Sequence, residues 1–216
     1  MAYFNRLPNI EYDQKPLTFP FSERQYVLAK NFFRRYKLSE SSYNFQNFFS
    51  EYIMTDNDRV DYLSYKFYDN SEFDWVILIT NNIINSYFDL PIREVDLYEI
   101  VQKAYDNPEG IHHYETLEKK NSLGQIVLKG GVKVEESFYN SVYKYYDNGQ
   151  IISVAGNTIS LPVTNYEYER NLNDLKRKIY ILRPEYVQDF IEQYESGMEY
   201  SRSSSYINRT TKKAGI

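Results

Sequence analysis

Three groups of residues in this 216-residue chain have side chains that could do chemistry. His112 and His113 are its two imidazoles and could bind a metal or move a proton. Asp56, Asp58 and Asp61 are spaced like the opening of a calcium loop. Lys129-Gly130-Gly131 has the residue types of a phosphate-cradling turn. None of the three meets its full requirement. Neighbouring residues on a strand point to opposite faces, so the histidines should not converge on one metal. A calcium loop needs Asp or Asn at its fifth position, then Gly, then a distal Glu, but Val60 and Asp61 stand at the fifth and sixth. The glycine pair lacks the preceding glycine spacing and the following Ser or Thr of a P-loop, so it reads as a turn. The 30 acidic residues could include a glycosidase pair, but no two are singled out. With no cysteine there is no thiolate nucleophile, thiolate metal site or disulfide. The expectation is a non-enzyme with no cofactor and no metal.

The chain is instead rich in residues that make contacts. It holds 24 Tyr, 13 Phe and 1 Trp, and aromatics reach 18% although the mean hydropathy is −0.63. Tyr therefore carries much of the burial capacity, and its flat body and polar tip suit interfaces. Codon drift in an AT-rich genome gives the same bias. The formal charge of −5 argues against general nucleic-acid binding. No run of 18 apolar residues is present to form a membrane span, and Met1 to Pro20 lacks a signal peptide's apolar core.

Residues 53–85 are the clearest structural signal. They read as a strand end, a capped helix, a tight turn, a second helix and an Asn-Asn stop. Asp56 or Asp58 can cap the first helix, and Val60, Leu63 and Phe67 fall on one of its faces. Ser71 can cap the second helix. That helix, Glu72 to about Thr80, is apolar nearly all round and so should be buried, with Trp75 as a core anchor.

Around this segment, Pro8, Pro16 and Pro20 make residues 1–21 an extended arm. A helix should open at Ser22-Glu23 and run towards Lys37. A third helix is expected over Arg93–Tyr105. Short strands flank Lys129-Gly130-Gly131, and Asp147-Asn148-Gly149 marks a hairpin between Val142–Tyr146 and Ile151–Val154. Ile159 to Val163 is a further strand. Tyr166 to Lys176 should be a helix with Tyr168, Leu172 and Leu175 on one face. Lys178–Leu182 reads as a strand. A helix begins at Pro184 with Val187, Phe190, Ile191, Tyr194 and Met198 inward. Ser201 to Ile216, polar and basic, should be flexible.

The run Asp58-Arg59-Val60-Asp61-Tyr62-Leu63-Ser64-Tyr65-Lys66-Phe67-Tyr68, followed by Trp75 and Asn81-Asn82, resembles the helical pair of a LysM domain, whose fold is βααβ. A longer pattern joins Tyr52-Ile53, Arg59, SYKFYDNSEFDWVILITNNI, Tyr87 and Pro91 to a late block, YEYERNLNDLKRKIYILRPEYVQDFI. It resembles the baseplate wedge subunit of T-even-type contractile-tailed phages, the gene product fifty-three family, over residues 20–100 and 165–200. The resemblance implies a structural virion protein that joins neighbouring wedges into the ring around the hub by protein contacts. It also implies a location in the tail baseplate, reached through the host cytoplasm during assembly. Its implied partners are other wedge proteins and neighbouring wedges, with the hub as a further candidate, and neither nucleic acid nor membrane.

A LysM closing strand should follow the second helix, yet a third helix follows here. Lys178–Leu182 is therefore expected to close the module beside Tyr52–Thr55, with residues 86–177 intervening. The expected fold class is α+β. It comprises an extended arm (1–21), a helix plus LysM-like front half (22–100), and an insertion with β hairpins (101–177). A closing strand with a C-terminal helix (178–200) and a flexible tail (201–216) complete it. Candidate partner contacts are Tyr3, Phe4, Leu7, Tyr12, Phe19 and Phe21 on the arm, with Arg34 and Arg35. The alternative function is peptidoglycan or chitin binding by a tail-associated LysM protein through the loops Thr55–Asp58 and Asn81–Ser86.

Overall fold

The computed structural model describes residues 2–13, 26–38 and 46–214, in a mixed α+β arrangement. The chain divides into two compact units. Unit 1 is built from both ends of the sequence, up to Leu90 and again from Arg177, and unit 2 is the stretch Pro91–Lys176 between them.

Unit 1 opens with α1 (Ala2–Arg6), β1 (Asn9–Asp13) and β2 (Tyr26–Lys30). The residues read as an extended arm thus start as a helical turn, with Pro8 after its end. The arm also carries core residues: Leu7 is buried, and Tyr3 packs on the same cluster. Phe19 and Phe21 lie outside the described residues. Where a helix was expected from Ser22 towards Lys37, Tyr26–Lys30 is instead the strand β2, antiparallel to β1 with Asn9 opposite Lys30 and Asp13 opposite Tyr26, and a turn follows it. Tyr26-Val27-Leu28-Ala29 is a continuous apolar run that fits a strand as well as a helix, and pairing with β1 decides it.

A short 3-10 turn (Gln46–Phe48) leads into β3 (Phe49–Ile53). The helical pair follows as α2 (Val60–Tyr68) and α3 (Asp74–Thr80). The caps differ from those expected. Arg59 holds the N-cap position of α2 without a side-chain cap bond, because the Asp58 carboxylate is used on Thr55. Asp69 ends α2 in the left-handed conformation at φ 54°. Asn70, not Ser71, accepts from the Glu72 amide and starts a 3-10 turn that runs into α3. Trp75, Val76, Ile77 and Thr80 are buried. A short helix, α4 (Ser86–Asp89), closes this half.

Unit 2 contains α5 (Glu94–Ala104), β4 (Ile111–Thr116), β5 (Lys119–Lys120), β6 (Ile126–Leu128) and β7 (Lys133–Val134). It continues with α6 (Glu136–Tyr139), β8 (Val142–Asp147), β9 (Gln150–Ala155), α7 (Gly156–Ile159), β10 (Ser160–Thr164) and α8 (Asn165–Arg177). β4 lies between β10 and β7 in a three-stranded sheet. The strands flanking Lys129-Gly130-Gly131 are not partners: β6 pairs with β5, and β7 with β4. Thr116 separates them by donating its hydroxyl to the Lys129 carbonyl at 2.6 Å and accepting from the Val132 amide. The β8–β9 hairpin forms as Asn148-Gly149 predicts, with φ of 48° and 78° at the two turn residues. On α8 the expected apolar face is absent: Leu172 and Leu175 are exposed, and Asn173 is buried. Asn173 both donates to and accepts from the Ile92 backbone at 2.8 Å, which explains a polar residue facing inward.

The chain then returns to unit 1 with β11 (Lys178–Leu182), a 3-10 turn from Pro184, α9 (Val187–Met198), β12 (Tyr206–Asn208) and β13 (Thr211–Lys213). β11 pairs antiparallel with β3, Lys178 opposite Ile53 and Leu182 opposite Phe49. The paired residues of the front strand are Phe49–Ile53, earlier than the expected Tyr52–Thr55; the Met54 amide still bonds to the Arg177 carbonyl at 2.8 Å, and the chain then turns at Thr55–Asp58. Val187, Phe190, Ile191, Tyr194 and Met198 of α9 all face the core, as their spacing requires. The segment read as a flexible tail is ordered. β13 runs parallel to β1 and pairs with β12, so the four-stranded sheet has the order β12-β13-β1-β2. Backbone pairing with β1 supplies what the tail's polar composition lacks.

Candidate interaction surface

The arm residues divide into those that hold the fold and those that face outward. Tyr3 sits 5.9 Å from Trp75 and 6.1 Å from Tyr194, ring centre to ring centre. With Leu7 buried beside it, this part of the arm is core, although both residues were candidates for partner contact. Phe4 and Tyr12 remain well exposed. Phe4 meets Phe32 edge-on at 5.7 Å.

Phe32 and Phe33 lie in the turn that follows β2. Asn31 builds that turn. Its backbone N–H donates to the Pro8 carbonyl at 2.8 Å, its side-chain nitrogen donates to the Tyr200 hydroxyl at 2.7 Å, and its side-chain oxygen accepts from the Phe33 amide at 3.1 Å. Asn31 is buried and satisfied, so the turn is fixed, and Phe33 is left 96% exposed. Leu28 and Tyr26 also project from β2, which is at the sheet's edge among the described residues. Leu28, Phe32 and Phe33 fall in the stretch expected as a helix and were not among the contact candidates. Their strand and turn context exposes them, together with Phe4, as apolar surface.

Arg34 and Arg35 are engaged within the chain. Arg34 donates to the Gly197 and Glu199 carbonyls at 3.2 and 2.9 Å, capping the end of α9, and lies 5.0 Å over the Tyr200 ring. Arg35 donates to the side-chain and backbone oxygens of Asn82. Both act as internal clamps before they could meet an anion.

The loops of the glycan alternative are similarly occupied. Asp58 accepts from the Thr55 amide and hydroxyl and from the Tyr52 hydroxyl, at 2.7, 2.9 and 3.1 Å. Burial pushes its carboxyl up, but these hydrogen bonds outweigh that and hold it below the usual value. Asp56 binds Arg177 at 2.6 Å. In the second loop Asp89 accepts from the Ile84 and Asn85 amides, and Asn85 accepts from the Tyr87 amide. Ile84 in the second loop is exposed, as are Tyr87 and Phe88 in the short helix that follows it.

Among the described residues no group of three or more His, Cys, Asp or Glu side chains could hold a metal ion. The two histidines do not diverge as adjacent strand residues should. Their Nδ1 atoms are 2.8 Å apart. The register of β4 on β10 slips at this point, Val163 facing His113 while Thr164 faces Ile111, so His112 is an extra residue in a bulge. A bulge re-aims its side chains, which brings the rings together. No helix among the described residues is long and apolar enough to cross a membrane. No family model matches this chain, and no curated protein matches it in sequence.

Proposed function

We propose that this chain is a structural subunit of a contractile-tail baseplate, a wedge component that joins neighbouring wedges into a ring through protein–protein contacts. The supporting observation is the closure of the helical pair. α2 and α3 are flanked by β3 and by β11, which pair although unit 2 lies between them in sequence. This strand-helix-helix-strand order supports the reading of a LysM-like module split by an insertion.

The exposed aromatic and aliphatic side chains support contact as the mode of action. Phe4, Leu28, Phe32 and Phe33 offer apolar area on a fixed support, which lowers the entropic cost of association. In a closed ring each copy would meet its neighbours through unlike surfaces. No catalytic step belongs to this reading. The glycan alternative is weaker, because Asp56, Asp58, Asn82, Asn85 and Asp89 use their oxygens on the chain itself. Few polar groups then remain to converge on a sugar.

Co-expression with the other baseplate genes of the source phage, followed by native mass measurement and imaging, tests the proposal. Wedge or ring complexes that contain the chain and fail to form without it are the expected result. A chain that stays free, yet is retained saturably on insoluble peptidoglycan, would favour the alternative.

A further inference from the structure

The paired histidines of unit 2 do something that neither composition nor resemblance suggests. The contact between their Nδ1 atoms needs one N–H and one lone pair. The neighbours fix which is which. His113 Nε2 lies 3.0 Å from a carboxylate oxygen of Glu115. An ionised carboxylate only accepts, so His113 carries its proton on Nε2. The Nδ1 of a neutral His113 is then the acceptor, and His112 donates from its own Nδ1. His112 stacks flat on Tyr168 of α8, with ring centres 3.9 Å apart and planes at 11°. A chain of contacts therefore runs from Glu115 through His113 and His112 to Tyr168, tying the bulged start of β4 to α8.

The two imidazoles respond differently to acid. A proton added to His112 at Nε2 leaves its Nδ1–H donating as before. A proton added to His113 at Nδ1 removes the acceptor and sets two N–H groups against each other. We infer that the His112–His113 pair is an acid-opened latch: protonation of His113 Nδ1 breaks the bond between the rings and releases β4 from the Tyr168 face of α8.

The groups around the pair come from several elements. His113 is buried, and Val163 opposite it on β10 brings no charge. Burial first, then His113 and Lys133 of β7, hold His112 below its ordinary value, while Glu169 of α8 pulls the other way. Tyr105, which meets His112 edge-on at 6.5 Å, stays neutral and donates to Glu169 at 2.8 Å.

The test uses the full chain between pH 8 and 5. Nitrogen-15 spectra of the imidazoles read the tautomers, and hydrogen exchange, corrected for its intrinsic pH dependence, reads opening of residues 111–116 and 165–176. The neutral state should show His112 protonated on Nδ1 and His113 on Nε2. As pH falls, exchange in those two segments should rise by up to about tenfold per pH unit, the limit for one proton taken up on opening. The β8–β9 hairpin should not follow. His113→Asn keeps an acceptor near the Nδ1 position but cannot be protonated, so it should remove the acid response. The opposite tautomers, a flat exchange profile in the wild-type chain, or an acid response that survives in folded His113→Asn would each overturn the latch. The first two need no variant, so misfolding of His113→Asn does not shield the proposal.

Discussion

Units 1 and 2 hold themselves together by different means. Among the described residues, both apolar clusters of buried side chains belong to unit 1. The larger centres on Trp75 with Phe190 and Tyr194, at 6.0 and 5.0 Å between ring centres, and the smaller on Leu63, Ile77 and Ile181. Unit 2 has buried residues but relies heavily on hydrogen-bonded turns. Ser160 donates to the Gly156 carbonyl at 2.7 Å, Thr116 holds the glycine turn, and Asn173 clamps Ile92. Removing volume should therefore damage unit 1 most, whereas adding a methyl group at a turn should damage unit 2 most.

The strongest challenge to this contrast is Trp75→Ala. A buried Trp truncated to Ala should cost about 3–5 kcal/mol, read from urea unfolding. Hydrogen exchange should show the loss in residues 49–80 and 178–198, while 142–164 keeps its protection. Equal loss in both units would mean that they unfold together and that the contrast has no energetic content.

Asn81→Ala probes the join on which unit 1 depends. The Asn81 side chain donates to the Ile77 and Tyr180 carbonyls and accepts from the Tyr180 amide, at 2.9, 2.8 and 2.7 Å. It thereby ties the end of α3 to β11. Its loss leaves backbone groups unsatisfied and should cost about 1–3 kcal/mol, with exchange rising first at 178–182. Gly156→Ala is the counterpart in unit 2. A methyl group there would lie 2.1 Å from the Phe138 carbonyl oxygen, so the backbone must shift. Overpacking of this kind costs about 1–3 kcal/mol and should stay confined to 136–164.

What was legible in the sequence follows the same division. Residues whose burial is set by helical period were readable: α9 faces the core with every residue expected, and Trp75 is an anchor as its apolar surroundings implied. The β8–β9 turn was readable because Asn-Gly takes positive φ at little cost. Order imposed by distant strands was not. β13 is a strand because β1 lies beside it, and β2 is a strand for the same reason. Two local signals were present and went unused. Thr164-Asn165-Tyr166-Glu167 is a capping box: Glu167 accepts from the Thr164 amide at 2.9 Å, and the Thr164 hydroxyl accepts from the Glu167 amide at 3.1 Å. Asn31 before Phe32-Phe33 is a residue that turns favour. Of the contact candidates, Phe4 and Tyr12 are outward, Tyr3 and Leu7 are packed inward, and both arginines are tied down within the chain. The outward Phe pair was hidden because aromatic residues in an apolar run read first as core.

Acid offers a smaller perturbation that touches both units. Hydrogen bonds from Thr55 and Tyr52 outweigh burial to hold Asp58 low in unit 1, and the Thr164 amide does the same for Glu167 in unit 2. In each case the unfolded chain takes up the proton first as pH falls. The stability these carboxylates contribute is thus present above the ordinary carboxylate range and is lost below about pH 4. Asp58→Asn should flatten the acid dependence of unfolding for unit 1 alone, and Glu167→Gln for unit 2 alone. Exchange measured segment by segment between pH 5 and 3 separates them.

The smallest expected effect on stability carries the most weight for function. Phe33 stands almost wholly in solvent on a turn that Asn31 holds through its own backbone and side chain. Phe33→Ser removes no buried contact, so unfolding should shift by no more than about 0.5 kcal/mol. A large apolar side chain kept outward on such a turn adds little to the folded monomer, and on the proposed wedge reading it meets a neighbouring subunit. The variant should therefore fold as the wild type does and enter wedge or ring complexes poorly in the co-expression experiment. Trp75→Ala would lower assembly as well, but only in proportion to the folded protein it leaves. Plotting complex formation against folded fraction for the two variants separates contact from scaffold. Phe33→Ser should fall well below the line through wild type and Trp75→Ala; if it lies on that line, the exposed aromatic turn is not where neighbouring subunits meet.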